Sequence, residues 1–338
     1  MCSVVKREFK LANVWLNYSK PEAFYTSQWR FPWPVFIIYR LSVAAYVLFA
    51  FIRVMVVSED GAGTGFKLQH HVMAYITTWT YLALTLHMVL AASVAIWCHC
   101  RARSRLEPEK SISNVNTISE NHVCSQSNSP LSKELDTCDY KSNTCTNFEN
   151  KLINSERPDL KMTNNNDVTP GNVTLQHVQD PVIMKIRMPW YLKISWVLWN
   201  IVFVGAIFVT VVYFSVIYHR VQKILGHPGV QFDDLNVHGL NTVFVFADVV
   251  VCARPVRLLH VVYPVMYCVV YVLFSVIFWS VDHSNVVYRV LLDWNHPDIT
   301  IGIVLGIVVF TVPTLQCFHF SIYRLRLFIC QKIYGEDY

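Results

Sequence analysis

Charge is scarce in this chain, and the signatures of soluble chemistry are missing. Only 15% of its 338 residues are Asp, Glu, Lys or Arg, against about 25% in soluble domains. Set beside a 54% hydrophobic and 14% aromatic content, that shortage excludes an ordinary soluble domain and points to a membrane protein. The net charge is +5 and no dense basic run occurs, so no nucleic-acid surface is expected and nucleic acid is not a partner. The basic residues read as topology determinants. There is no GxSxG elbow, no Walker A loop and no Rossmann glycine pattern, which removes the serine hydrolases, nucleotidases and dinucleotide enzymes built on them. HExxH is absent, and so are the spaced histidine pairs of a membrane di-iron oxygenase. His70 and His71 stand adjacent and the other histidines are scattered. No metal and no cofactor is expected. The ten cysteines contain no CxxC pair, and several lie in apolar runs where Cys acts as a small hydrophobe, so no disulfide framework is expected. No secretory signal peptide is visible. The first 33 residues carry Lys6, Arg7, Lys10, Lys20 and Arg30 and no apolar core, so the first apolar segment is expected to serve as a signal anchor. Neither an internal repeat nor a pair of broken helices suggests an inverted-repeat transporter.

What is present is a series of long apolar runs. A helix needs about 20 apolar residues to cross the hydrocarbon core, and six segments qualify: Pro34–Val57, Val72–Trp97, Trp190–Tyr218, Leu235–Ala253, Leu258–Val281 and Ile299–Ile322. The fourth is the weakest, being short and polar-bearing. The expected fold is all-α, a bundle of six transmembrane helices with a long disordered cytoplasmic loop between helices two and three. The expected division is a cytoplasmic N-terminal segment over 1–33, helices one and two over 34–100, the polar loop over 101–187, helices three to six over 188–325, and a cytoplasmic tail over 326–338. The loop is rich in Ser, Asn, Lys and Glu, too polar to build a core. Arg40 and Arg53, near opposite ends of the first helix, are expected to snorkel.

The distribution of Lys and Arg sets an orientation. With both termini in the cytoplasm, the inner side holds the N-terminal basic residues, Arg101, Arg103 and Arg105, Arg254 and Arg257, and Arg324, Arg326 and Lys332. The outer loops hold only Lys67, Arg220, Lys223 and Arg289. Two glycosylation sequons, at Asn17 and Asn172, then fall on the inner side and are expected to be unused. Glycan at Asn172 would overturn the orientation. Cys98 and Cys100, where helix two meets the cytoplasm, are candidate palmitoylation sites.

The fourth segment carries His238, Asn241 and Asp248. Asn241 and Asp248 are seven apart and share one helical face, with His238 one turn before Asn241. Polar groups in hydrocarbon are functional candidates by default. Gly239 keeps this part of the helix slim for close packing. Thr77, six residues past His71 on helix two, is expected at the depth of Asn241. A Thr hydroxyl activated by a base can act as a nucleophile, and an amide can stabilise an oxyanion. Equally, Thr bonds its own helix and Asn and His join helices, so Thr77, His238 and Asn241 are catalytic candidates only. Asp248 is costly unless protonated or paired. Tyr263, Tyr267 and Tyr271 form one stripe at i, i+4, i+8 with Ser275 continuing it. That stripe lines a ligand groove or packs helices. Pro264 is expected to kink the fifth helix near its start.

These motifs, in order, resemble the rolling stone family of multi-pass membrane proteins. They are Ser27-Gln28-Trp29, Tyr75 to Trp79, His238 to Asn241 with Asp248, Ala253 to His260 (ARPVRLLH), Tyr263-Pro264 through Trp279, Tyr288 to Trp294 (YRVLLDW) and Pro297. The resemblance covers nearly all the chain except the polar loop. It implies an integral, plasma-membrane protein acting in cell–cell fusion of the myoblast type or in membrane organisation. Its partners would be membrane lipids and other membrane proteins at cell contacts. The chain is more distantly similar to the androgen-induced hydrolases of fatty-acid esters, which use a Thr and a His within membrane helices. Their Thr motif looks like Tyr75-Ile76-Thr77. Their His-Gly-x-His-Thr motif is met by His238-Gly239-Leu240-Asn241-Thr242, with Asn241 in place of the His that the resemblance marks as catalytic. Asn is no general base, so a lipid esterase here would need His238 to serve Thr77. A channel or transporter would need Asp248 on an aqueous path.

Overall fold

The computed structural model describes residues 8–60, 71–121, 188–225 and 232–335. It divides into two compact units, Met1–Pro108 with Ile186–Tyr338, and Glu109–Lys185. Of the second unit only the helical stretch ending at Asn121 is described, and the rest of the polar loop, Asn172 included, lies outside the described residues. The first unit carries the helix bundle.

The helices are α1 (Trp33–Asp60), α2 (Ile76–Asn121), α3 (Trp190–Ile217), α4 (Leu235–Val251), α5 (Leu258–Val281) and α6 (Pro297–Tyr334). All but α4 are long and apolar enough to cross a membrane. No β-strand occurs among the described residues, only isolated bridges such as Ser27 with Cys252. The bundle is thus an all-α membrane fold. Its two central helices are α2 and α3, whose apolar windows are 56% and 44% buried, against 28%, 17% and 11% for α1, α5 and α6. Bulky apolar side chains on those outer helices, such as Phe49, Ile277 and Phe310, point away from the bundle, as a lipid-facing surface requires.

Helix ends follow local chemistry. Pro297 starts α6, where a missing N–H costs nothing. Gly335 ends it in the left-handed conformation (φ 68°), its N–H donating to Gln331 O. The 38 residues of α6 extend about 57 Å at 1.5 Å per residue, well past a hydrocarbon core. Arg324 and Arg326, expected in a flank, are therefore within the helix. Likewise α2 runs on to Asn121, into the stretch expected to be disordered from residue 101. Arg, Leu, Glu and Lys just past Cys100 are good helix formers and extend it. Pro264 lies where the 3-10 turn Leu258–Val261 gives way to the α-helix starting at Val262, so it falls in the first α-helical turn, where Pro is tolerated.

Among the described residues three π-helical stretches interrupt the bundle: Tyr213–Ile217 in α3, Leu235–Leu240 in α4 and Ile307–Thr311 in α6. The last ends two residues before Pro313, whose missing N–H disrupts the helical ladder.

Residues 8–32 are part of the fold, docked on the end of the bundle where α4 stops. The end of a helix leaves carbonyls without intrahelical partners. Here Trp29 Nε1 donates to Val250 O (2.7 Å), while Ser27 Oγ and Gln28 N–H donate to Val251 O, both at 3.0 Å. Phe24 is buried against Trp196 of α3, with ring centroids 5.1 Å apart. Arg257 donates to Trp15 O and Asn17 O, and Tyr263 to Val14 O.

α2 and α3 pack closely at Gly205. A Cβ there would meet Thr80 Cγ2 at 3.0 Å. Overpacking costs about 1–3 kcal/mol, and the helix-propensity gain of Gly→Ala returns up to about 1. Gly205→Ala is therefore expected to lower the thermal unfolding midpoint of the purified protein. Adding Thr80→Ser, which deletes the methyl group that clashes, should restore it. A midpoint unchanged by Gly205→Ala would show that the two helices have room to part.

Candidate functional site

The polar interior begins with Asp248. It sits on the last turn of α4 and is fully buried. Its Oδ1 accepts from Arg40 Nη1 of α1 and from the Cys252 thiol (3.0 Å). Cys252 Sγ in turn accepts from Arg40 Nη2 (2.7 Å). Burial pushes the Cys252 thiol up to about 12, so it stays a neutral donor. Asp248 Oδ2 lies 3.4 Å from Arg254 Nη1 and 3.3 Å from His87 Nε2. Arg254 Nη1 is closer to His87 Nε2, at 3.0 Å. A guanidinium only donates, so His87 Nε2 accepts there and its proton is assigned to Nδ1. Burial pulls the Arg254 guanidinium down to about 10 against the opposing pull of Asp248, which leaves it charged at neutral pH. Arg40 does not snorkel: it is 2% exposed, because Asp248 supplies the counter-charge that water would otherwise provide.

Around this pair lie groups that a reading confined to the fourth helix missed. His87 stacks on Trp199 (centroids 5.3 Å), and Arg254 lies 5.2 Å from the same ring. Arg326 of α6 closes the end of α4, donating to Val249 O (2.6 Å), Cys252 O and Arg254 O (3.0 Å). That places a cation at the negative end of the helix dipole. Gln316 Nε2 donates to Asn200 Oδ1 (3.1 Å) and Arg257 O (2.9 Å). The signal was available, since Arg40, His87, Asn200, Gln316 and His319 are all polar residues inside apolar runs.

At the other end of the bundle the candidates from the sequence are arranged differently. Asn241 is buried. Its Nδ2 donates to Val237 O (2.9 Å) and its Oδ1 accepts from the Thr242 N–H (2.6 Å). The Thr210 hydroxyl of α3 sits among Asn241 Oδ1 (3.1 Å), Thr242 Oγ1 (2.7 Å) and His238 O. His238 lies flat on Tyr213, with centroids 3.5 Å apart and planes 2° from parallel. Thr77 instead lines a cavity with Tyr213, Tyr271 and Tyr288. Neither His238 nor Asn241 is among the lining residues, and among the described contacts neither touches Thr77.

That cavity has a volume of about 60 Å³ and lies between α2, α3, α5 and α6, under the loop that follows α5. Two π-helical stretches contribute to it, through Tyr213 and Ile217 and through Ile307 and Val308. The third carries His238, stacked on Tyr213. Such bulges often mark functional sites. The lining is apolar except for the hydroxyls of Thr77 and the tyrosines. Burial pushes Tyr288 up to about 12, with the Thr77 hydroxyl beside it pulling the other way.

The tyrosine stripe of α5 joins elements. Tyr263 reaches Val14 O (2.8 Å), Tyr267 pairs with Thr80 Oγ1 (3.1 Å) and Tyr271 donates to Ala74 O (2.8 Å). Ser275 Oγ accepts from Trp294 Nε1 (3.0 Å). Cys98 is partly buried and Cys100 exposed, both on the same end of the bundle as residues 8–32. Among the described residues no group of three His, Cys, Asp or Glu side chains is placed to hold a metal ion.

Apolar helices of spanning length around a buried ionic centre define an integral membrane helix bundle. The family model described as Protein rolling stone matches residues 173–334, and over those residues the chain is similar to the rolling stone family. Protein rolling stone of Drosophila melanogaster is 28% identical over 142 residues, 40% of this chain and 49% of that protein. The chain therefore spans about half the length of this curated relative. No solved structure matches. The matched residues hold α3 to α6, with Asp248 and Arg254; the likeness read in α1 and α2 lies outside them.

Proposed function

We propose that this protein organises membranes at cell contacts, in fusion of the myoblast type, and holds a lipid acyl chain in the cavity beside Thr77. The cavity carries the reading. Apolar cavities stay dry and take apolar ligands, and one water needs roughly 10–15 Å³ of such space, so about 60 Å³ suits a short stretch of acyl chain. Lipid tails are already in an apolar medium, so burial alone adds little. Selectivity would come from the Thr77 and Tyr288 hydroxyls at the polar edge, which suit an ester carbonyl. The resemblance supports the fusion role at the plasma membrane, and the distribution of Lys and Arg supports cytoplasmic termini.

The ester-hydrolase reading is the weaker one. It needs a base on Thr77, and His238 is stacked on Tyr213 instead. Asn241 cannot take a proton, and its amide is bonded along α4 and to α3.

Two measurements test the proposal. Depletion in a tissue that expresses the protein strongly should impair fusion, and normal fusion there would sink that role. Photo-crosslinking with a phospholipid bearing a diazirine on its acyl chain should label the cavity. Val308→Trp, which fills it, should cut labelling roughly tenfold at equal expression. Undiminished labelling would remove the cavity as the lipid site.

A further inference from the structure

The ionic centre at the α4 end is not balanced. Three guanidinium groups, Arg40, Arg254 and Arg326, are 2%, 1% and 4% exposed, and Asp248 is the one carboxylate bonded to them among the described residues. That leaves an excess of two positive charges. The α4 terminus offsets about half of one through the carbonyls that hold Arg326. Buried charge without a counter-charge is costly.

The imbalance has a location. Arg40 is engaged by Asp248 and Cys252, and Arg326 by three carbonyls. Arg254 uses only Nη1, toward His87 and Asp248. Its Nε and Nη2 have no hydrogen-bond partner. These two N–H groups form one edge of the planar guanidinium, the edge that takes two oxygens of an oxyanion side by side. Rings hold the group in place: Trp199 lies 5.2 Å and Phe24 5.9 Å from its central carbon. His319, fully buried, has both ring nitrogens unpartnered and touches Trp199 and Phe203. Buried polar groups are nearly always hydrogen-bonded, so such a concentration calls for a missing partner.

We propose that the Nε/Nη2 edge of Arg254 anchors a phosphate monoester or inorganic phosphate beneath Phe24. A phosphate monoester carries about −1.5 to −2 at neutral pH, which matches the excess charge. A phosphodiester or carboxylate, at about −1, does not. Arg254 lies between the end of α4 and the start of α5, at the depth where spanning segments meet headgroups. The group therefore comes from free phosphate or from the headgroup of a lipid such as phosphatidic acid. Phe24 belongs to the docked segment 8–32, so that segment covers the site.

The full chain, purified in detergent, is tested with radiolabelled inorganic phosphate in one arm and phosphatidic acid or phosphatidylcholine nanodiscs in the other. Saturable binding of phosphate, or retention of phosphatidic acid over phosphatidylcholine, is expected, and the arm that responds identifies the source. Arg254→Lys keeps the charge but lacks the two-point edge, so binding should weaken roughly tenfold to a hundredfold. Phe24→Ala leaves the edge intact and should speed exchange of the bound group, which guards against reading misfolding as lost binding. Equal binding by wild type and Arg254→Lys would overturn the proposal. So would equal displacement by chloride at matched ionic strength, or no binding in either arm.

Discussion

Asp248→Ala is expected to lose about 3–5 kcal/mol of stability, the range for breaking a buried ion pair from one side. The side chain is fully buried and holds Arg40, Cys252 and Arg254 at once. Removing it leaves two guanidinium groups facing each other with no anion between them. Asp248→Asn should lose nearly as much, because a neutral amide keeps the shape and not the charge. Replacing both partners differs in sign. A buried pair exchanged for apolar residues of similar volume is often neutral, so Arg40→Leu with Asp248→Leu should be more stable than Asp248→Leu alone. Thermal midpoints and the monodisperse fraction on size exclusion measure this. A double variant that merely sums the two single losses would show that the pair is not coupled.

Trp196→Ala is the second large effect, about 3–5 kcal/mol for truncating a buried Trp. Its ring packs against Phe24, Tyr18, His260 and the Arg257 guanidinium, and its Nε1 donates to Pro255 O at 2.9 Å. The residue thus holds the docked segment, the loop after α4 and the start of α5 together. The loss should have a local signature: limited proteolysis should cleave residues 8–32 much faster in Trp196→Ala than in Trp196→Phe, which keeps a ring against Phe24. Equal cleavage in the two would mean that the hydrogen bonds of the segment to Val250, Val251, Arg257 and Tyr263 hold it without the ring.

Much of the architecture is legible in the chain. The third segment starts at the residue read from hydropathy, and the fifth matches at both ends. This works because a membrane helix must satisfy every backbone group internally and present about 20 apolar residues. Those demands are local and repeat at each position. The weakness of the fourth segment is legible too, since α4 is the helix below spanning length.

The side-chain chemistry is not local, and the candidate site shows the difference. His238, Asn241 and Thr77 looked like one set because sequence spacing places them at similar depths. Depth says nothing about which neighbour a helix face meets. Rotation of α4 pairs Asn241 with Thr210 of α3, while Thr77 opens on a cavity walled by α3, α5 and α6. Arg40 carried no mark separating it from Arg53, since both are single cations in an apolar helix. The contact with Asp248, 208 residues away in sequence, turns Arg40 inward.

Helix positions, lengths and the polar character of α4 follow from composition read in short windows, because bilayer thickness and backbone hydrogen bonding act on each segment separately. The ionic centre, the docking of residues 8–32 over the end of α4 and the cavity beside Thr77 follow only from packing. Each is built from groups on three or more elements, and electrostatic pairing in a low-dielectric interior depends on distances that spacing along the chain does not specify.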